Sequence, residues 1–222
     1  MSSVARDAPA SAVRESATAG LRREPKQARS RAKFDRVVEA TKDLVVDIGP
    51  TATTTTAIAE RADVSVAWIY DYFEDRQAIF DAIIVDGSRR LLGLTRHAML
   101  DAVATDGWRG AARAALDVNV AFKVEEPAFV RLWDSSFRSV EALQAHELND
   151  SHQADWVYAT LIDLGLMVPG EPTRLAVELT VALTDRGLEL CHNHPADAEP
   201  VLLDRLHAAM VAILEPFGTH PA

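Results

Sequence analysis

The sequence predicts an all-α protein of about nine helices, in which a small N-terminal helical domain precedes a larger helical one. Three observations support this class. Apolar residues recur at steps of three and four along most of the chain, as on one face of an amphipathic helix. No stretch alternates apolar and polar residues in the manner of a strand. Alanine and leucine abound while glycine and proline occur ten times each, and 222 residues suffice for two domains.

The composition is that of a globular protein, with 48% hydrophobic and 25% charged residues. Cys191 is the single cysteine, which excludes an intramolecular disulfide and is typical of a reducing compartment. No apolar run approaches the roughly 20 residues of a membrane span, and the first 26 residues lack the apolar core of a signal peptide. We therefore expect a soluble cytoplasmic protein with no membrane partner.

The charge of the chain is unevenly distributed. The net charge is −10, yet residues 1–33 carry eight basic and three acidic side chains, a balance of +5. The remainder carries 15 basic and 30 acidic side chains, a balance of −15. Residues 1–25 have no helical periodicity and are predicted to form a disordered basic arm. A solubilising tail and an arm that contacts nucleic acid both fit this composition.

The first amphipathic pattern begins at Lys26 and stops at the Gly49-Pro50 pair, which predicts the end of a helix there. Its apolar positions include Phe34, Val37, Val38, Leu44, Val45 and Ile48. Thr54 then provides an N-cap for a helix of about two turns, and Ser65 begins a second short helix. These three helices make up a predicted domain over residues 26–74.

A longer helical pattern runs from Asp75 to about Val103, with Gly87 and Gly93 as weak points. Further amphipathic segments follow at 108–123, 127–139, 140–166, 172–193 and 198–216. Several of the breaks between them contain proline. Residues 75–222 are therefore predicted to form one larger helical domain.

The two short helices meet at a tight corner in the stretch AIAERADVSVAWIYDYF, residues 57–73. The first helix has an apolar inner face, Val64 follows the turn, and Ile69 and Phe73 anchor the second helix. Asp63 occupies the turn, where the chain needs a residue that tolerates the left-handed conformation. This combination predicts a helix-turn-helix, with Ile58, Ala59 and Ala62 on the inner face of its first helix.

The segment IAERADVSVAWIYDYFEDRQAIFDAI resembles the TetR family of bacterial transcriptional regulators. The resemblance covers about residues 27–85 and includes the Ala-x-Val-Ser corner and the Tyr-x-x-Phe pattern that ends at Phe73. It implies a homodimeric, ligand-responsive repressor that binds a double-stranded DNA operator. It also implies that the larger domain binds an unknown small-molecule effector.

The expected DNA contacts follow from position and from the resemblance. Hydroxyls and helix N-terminal amides at Thr54 and Ser65 suit phosphates, and the residues that follow Ser65 face the major groove. Val66 and Ala67 present methyl groups, which favours contacts with thymine methyls. The full set of candidates is Thr54, Thr56, Ser65, Val66, Ala67 and Trp68, with Tyr70, Tyr72 and Arg76 at phosphates and Arg29 and Arg31 as added positive charge.

Aromatic and polar residues in the later helices suggest an effector pocket for an apolar or aromatic molecule. The candidates are Asn119, Phe122, Trp133, Phe137 and Trp156. The alternative for each aromatic residue is that it fills the helical core. Apolar rows at Leu175, Leu179, Ala182 and Leu183, and at Leu202, Leu206, Ala209, Met210 and Ile213, predict a four-helix dimer interface.

The sequence contains no phosphate-binding glycine loop, no nucleophile motif and no His-x-x-x-His metal spacing. In ELCHNHP, residues 189–195, two histidines two positions apart point in nearly opposite directions on a helix, so a C-terminal cap is favoured over a metal site. We therefore predict no enzyme activity, no cofactor and no metal. The alternative function is an all-helical ligand-binding protein or enzyme with an incidental helical corner.

Overall fold

A computed structural model describes Arg22, Pro25 and residues 27–133, 139–192 and 199–219. It contains eight α-helices in this part of the chain, namely α1 (Ala28–Ala52), α2 (Thr55–Ala62), α3 (Val66–Tyr72), α4 (Arg76–Glu125), α5 (Pro127–Trp133), α6 (Val140–Asp163), α7 (Glu171–His192) and α8 (Glu199–Leu214). A 3-10 turn, Glu215–Phe217, follows α8. Sheet structure in the described ranges is limited to one isolated bridge, between Met167 and Gly218. The predicted all-α class is confirmed, and eight helices replace the approximate count of nine.

Two helices are interrupted at glycines whose backbone leaves the helical region. Gly49 in α1 has φ 81° and ψ 161°, so regular helix stops at the predicted Gly-Pro pair and a short turn follows. Gly107 in α4 has φ 62° and ψ −158°, which divides α4 into residues 76–106 and 108–125. Both positive φ values favour glycine, since a side chain would clash with the neighbouring backbone.

The chain forms two compact units. Unit 1 consists of the chain up to Arg89 and of Lys123–His146. Unit 2 consists of Arg90–Phe122 and of the chain from Glu147 onward. In unit 1, α5 packs on α1, and the Arg131 guanidinium donates hydrogen bonds to the carbonyls of Val45 and Val46. The core of unit 1 includes Val37, Val45, Ile58, Ile69, Phe73, Ile79, Phe80, Ile84 and Leu132.

Unit 2 has two clusters of buried side chains. The first cluster joins α4, α6 and α7 and includes Trp108, Leu161, Met167 and Val177. The second cluster joins α4, α7 and α8 and contains Ala112, Leu116, Leu188, Cys191, Leu203, Leu206 and Met210. Within the described ranges, no helix is both long and apolar enough to cross a membrane.

Gly87 lies at a close approach of α4 to α5. A Cβ atom there would stand 2.4 Å from Cδ2 of Phe129, far inside van der Waals contact. We expect Gly87→Ala to lower the free energy of unfolding by roughly 1–3 kcal/mol because Phe129 must leave its packed position. Denaturant unfolding at equilibrium measures this change.

Gly93 provides the matched control on the same helix. A Cβ atom at Gly93 meets nothing within 4 Å, and the position is exposed. Gly93→Ala should therefore stabilise the helix by up to about 1 kcal/mol through alanine's higher helix propensity. Equal effects of the two substitutions would contradict the close approach of α4 and α5.

Candidate nucleic-acid interface

The corner between α2 and α3 has the geometry that the sequence predicts. Asp63 ends α2 in the left-handed conformation, with φ 53° and ψ 53°, and is the one non-glycine residue with positive φ in the described ranges. The Asp63 amide donates to the carbonyl of Glu60 at 3.3 Å, and the Val64 amide to that of Ala59 at 3.0 Å. These bonds satisfy the last carbonyls of α2 and turn the chain into α3.

Both short helices carry the predicted N-caps. The Thr54 hydroxyl accepts a hydrogen bond from the Ala57 amide at 3.1 Å, and the Ser65 hydroxyl accepts one from the Trp68 amide at 3.1 Å. Each cap satisfies one of the amides that have no partner within the helix, which stabilises the helix by about 1 kcal/mol. The first turn of α3 therefore begins with an ordered, exposed serine.

The inner face of the corner is firmly packed. Ile58, Ile69 and Phe73 are fully buried, and the Phe34 ring of α1 stacks on Phe73 with centroids 4.8 Å apart. Val64 is partly buried beside the turn. Because α1 covers one side of α2 and α3, their opposite side remains open.

The exposed side of α2 and α3 carries five of the eleven residues predicted to meet DNA. Ser65, Ala67 and Tyr70 are exposed, and Val66 is partly exposed. Thr56 is exposed on α2. Tyr70 keeps 43% of its surface accessible. The open face therefore presents a hydroxyl, a phenol and methyl groups around the N-terminus of α3.

Trp68 differs from the expectation that it is exposed for a partner. Its indole is half-buried and lies against the Tyr72 ring, with centroids 4.4 Å apart. Lys33 of α1 places its ammonium 5.9 Å from the indole centroid. Lys33 was missed by the sequence reasoning, although it stands one helical turn after Arg29 and its side chain lies over α3.

Tyr72 and Arg76 also differ from their predicted placement at phosphates. Tyr72 is 6% exposed and its ring packs edge-on against Phe34, because position 72 falls on the inner face of α3. The Arg76 guanidinium donates to the carbonyl of Thr53 at 2.8 Å and approaches that of Thr51 at 3.4 Å. Arg76 thus holds the loop that follows α1, where carbonyls beyond the regular helix attract a cation.

Basic side chains cluster near the start of α1. Arg29 and Arg31, the candidates for added positive charge, are exposed there. Arg36, further along α1, donates from Nε to the carbonyl of Ala62 at 3.2 Å and so ties α1 to the end of α2. Arg61, in contrast, is paired with Asp47 of α1 at 3.2 Å.

The predicted effector residues are divided between the units. In unit 2, Asn119 donates to the Ala115 carbonyl of its own helix at 2.8 Å, Phe122 is 2% exposed, and Trp156 is partly exposed. Trp133 belongs to unit 1 and stacks on Phe129, with centroids 5.9 Å apart. Phe137 and residues 193–195 of the ELCHNHP stretch lie outside the described residues.

Unit 2 has a shallow cleft beside Trp156. Its walls are formed by Met99, Leu100, Val103, Trp156, Val157, Thr160 and Leu161, from α4 and α6. The cleft is about 10 Å³ in volume, which is close to what one water molecule needs. An aromatic molecule enters it only if α4 and α6 separate.

The corner between α2 and α3 lies in a segment that matches a known protein family. Residues 37–83 match the model for the N-terminal domain of bacterial regulatory proteins of the tetR family. That range includes most of α1, all of α2 and α3, and the start of α4. Residues 37–83 are thus similar to the domain found in tetR-family regulatory proteins, and that similarity includes the whole corner between α2 and α3. No curated protein sequence matches the chain.

Solved structures share the fold across most of the chain. A TetR-family transcriptional regulator from Streptomyces coelicolor is 23% identical, with 83% of this chain and 99% of that chain covered at a TM-score of 0.57. The regulator PfmR from Thermus thermophilus is 17% identical, with 85% and 98% covered at 0.55. SmeT, the repressor of the Stenotrophomonas maltophilia multidrug efflux pump SmeDEF, is 16% identical, with 86% and 92% covered at 0.55. At these identities the likeness is one of fold.

Proposed function

We propose that this chain, whose residues 37–83 carry the tetR-family DNA-binding domain, is a cytoplasmic homodimeric repressor that a small apolar or aromatic effector releases from a palindromic operator. The observation that carries this proposal is the open face of α2 and α3. It is held rigid by a packed inner face and flanked by the exposed basic residues Arg29 and Arg31. An exposed helix N-terminus beside positive charge suits entry into a major groove.

The contacts are assigned by chemistry and exposure. Ser65 and Thr54 place helix N-terminal amides toward phosphates, and the Tyr70 phenol reaches a further phosphate. Thr56, Val66 and Ala67 meet base edges, where methyl groups favour thymine. Trp68 contributes its exposed edge, while Tyr72 and Arg76 act mainly by holding the corner in shape.

Phosphate and base contacts predict different mutant behaviour. Lys33, whose ammonium lies over the Trp68 indole of α3, is assigned to a further phosphate. Lys33→Gln and Tyr70→Phe should weaken binding to all duplexes about equally, and Lys33→Gln should also lower the salt dependence by about one unit of slope. Val66→Ala should change sequence preference, because its contact is with a base edge. Selection of operator fragments from genomic DNA, followed by fluorescence-anisotropy titrations at several salt concentrations, measures these changes.

Arg61 provides the control for the loss of one positive charge, because it is exposed yet already paired with Asp47 and Asp43 of α1. Arg61→Gln should leave the salt slope unchanged. If Lys33→Gln and Arg61→Gln behave alike, Lys33 makes no phosphate contact. Binding that is tight, independent of salt and equal for all sequences would contradict the proposed function itself.

The dimer is proposed to form through the exposed sides of α7 and α8. Leu175 and Leu179 are 54% and 56% exposed on α7, and Val201 is 61% exposed on α8. In contrast, Leu206 and Met210, which the apolar row of α8 placed in the interface, are 7% and 4% exposed within unit 2. Their assignment to the interface was wrong, because that side of α8 packs on α4 and α7.

The effector is proposed to bind in unit 2 beside Trp156, with Asn119 and Phe122 further along α4. The cleft at Trp156 is smaller than an aromatic ring, so binding separates α4 from α6. Helix α4 contributes residues to both units, which makes it the element through which effector binding alters the DNA-binding face. Trp133 belongs to unit 1 and is not part of this proposed site.

A further inference from the structure

Arg96 occupies an unusual position one turn before the cleft residues of α4. Its Nε donates to Oε1 of Gln153 at 3.1 Å, and Nη2 approaches the carbonyl of His152 at 3.4 Å. The guanidinium lies 5.1 Å from the centroid of Trp156, whose ring lines the cleft. The cation is thus held against one end of an apolar cleft by α6.

Arg96 has no carboxylate partner among the described residues. Its hydrogen bonds go to an amide oxygen and to a backbone carbonyl, and in this part of the chain they leave Nη1 without an acceptor. Burial lowers the pKa of the Arg96 guanidinium, and no acid among the described neighbours opposes that shift. A half-buried cation without a counter-ion loses part of its hydration and gains no ion pair in return.

Two other arginines of unit 2, Arg174 and Arg113, do have carboxylate partners. Arg174 also lies over an aromatic ring, that of Tyr158 at 5.8 Å, but it contacts Asp155 at 2.6 Å and Glu178 at 3.6 Å. Asp204 and Asp117 accept hydrogen bonds from Arg113 and hold its pKa above the ordinary value. The lack of an acid partner at Arg96 is therefore not general to this acidic chain.

We propose that Arg96 binds the carboxylate of the effector, and that the effector is an apolar carboxylic acid whose hydrocarbon or aryl body enters the cleft along Trp156. This inference rests on the proposed function, since it specifies the chemical class of that effector. A guanidinium offers a planar pair of donors that matches a carboxylate, and the ligand supplies the missing counter-ion. Once α4 and α6 separate, the apolar side chains from Met99 to Leu161 contact the rest of the molecule.

The test compares acids with their neutral analogues in the absence of DNA. Phenylacetate, 4-phenylbutyrate and octanoate are titrated into the full-length protein by calorimetry, each beside its primary amide. We expect at least one acid to bind at least about ten-fold more tightly than its amide. Arg96→Gln should remove that preference, and Arg96→Lys should retain the charge but lose most of the affinity that depends on the paired donors.

Arg174→Gln is the matched control, because it removes an arginine that also lies over an aromatic ring of α6. It should keep the preference for the acid. If Arg96→Gln fails to fold, the Arg96→Lys variant decides the question. Equal binding of acid and amide, no binding of any acid to the wild type, or an equal effect of sulfate at the same ionic strength would each overturn the proposal.

A further measurement separates this inference from the proposed function. Operator binding is measured with and without the acid that binds best. The acid should release the wild type but not the Arg96→Gln variant. Release of both proteins by the acid would overturn the role of Arg96 and leave the repressor proposal intact. Acid binding without any operator binding would overturn the repressor proposal and leave the carboxylate site intact.

Discussion

Leu179→Glu should convert the protein from a dimer into a folded monomer that no longer binds its operator tightly. Leu179 is 56% exposed in the single chain and lies on α7, in the proposed interface. The two-fold axis doubles the effect because each protomer loses a buried leucine. At about 1.5–3 kcal/mol for each side chain, the loss is about 3–6 kcal/mol, which raises the dissociation constant at least about 100-fold.

Leu206→Glu should have a different outcome. Leu206 is 7% exposed and packs in the second cluster of unit 2, with its methyl groups against Gly187. A carboxylate there loses the leucine's burial and is itself stripped of water, so we expect a cost above about 4 kcal/mol. That is a large share of a typical folding free energy of about 5–15 kcal/mol. The variant should be unfolded or expressed poorly.

Sedimentation velocity and circular dichroism distinguish the two variants. Leu164→Glu is the control, since Leu164 is 51% exposed but follows α6 rather than lying on the last two helices. It should remain dimeric and folded. A wild type that sediments as a monomer at micromolar concentration, or a dimeric Leu179→Glu variant, would contradict the proposed interface.

Operator DNA should weaken effector binding by the same factor by which the effector weakens operator binding. This reciprocity is thermodynamic, and factors of about 5- to 150-fold, or about 1–3 kcal/mol, are typical. A two-fold repressor must hold its two recognition helices about 34 Å apart to enter successive major grooves. An effector that moves α4 alters that spacing, because α4 starts beside the DNA-binding corner at Arg76.

Tryptophan fluorescence is suited to this measurement, because Trp156 lines the cleft. The effector is titrated into free protein and into protein saturated with operator. Trp156→Phe serves as the control that assigns the signal to this residue. Equal effector affinities in the two titrations would show that the ligand does not control DNA binding, however tightly it binds.

The local elements of the DNA-binding corner were predictable because each depends on a few neighbouring residues. Thr54 and Ser65 precede helices whose first amides need acceptors, so their capping roles follow from sequence. Asp63 occurs where the chain must adopt a positive φ, and few other residues tolerate that conformation. The Gly49-Pro50 pair likewise predicted, from two adjacent residues, the interruption of regular helix in α1.

The placement of longer side chains was not predictable in this way. The Arg76 guanidinium reaches the Thr53 carbonyl, 23 residues earlier, and no local pattern indicates that a cation is needed there. Trp68 and Tyr72 stand four positions apart on α3, which brings their rings together. The sequence does not tell whether such a pair is exposed to solvent or buried by another helix. The position of α1 decides that question.

Helix α8 shows a further limit of sequence patterns. Its apolar residues cover more than one side, since Leu202, Leu203, Leu206 and Met210 all occur within nine positions. Helical periodicity indicates that such a helix is largely covered, but it does not tell which side meets the same chain and which meets a second copy. Burial within unit 2 assigns Leu206 and Met210 to the chain's own core and leaves Val201 outside.

Cys191 gives this protein a built-in chemical reporter. It is the single thiol of the chain, it lies near the end of α7, and it is 2% exposed beneath α8. A thiol reagent in solution therefore reaches it only when the α7–α8 pair opens, and the modification rate rises with the population of the open state as long as the pair recloses faster than the reagent reacts. Modification kinetics followed by mass spectrometry thus record opening motions of unit 2 without an engineered label. A lower modification rate in the presence of a bound acid would measure how far that ligand suppresses the opening.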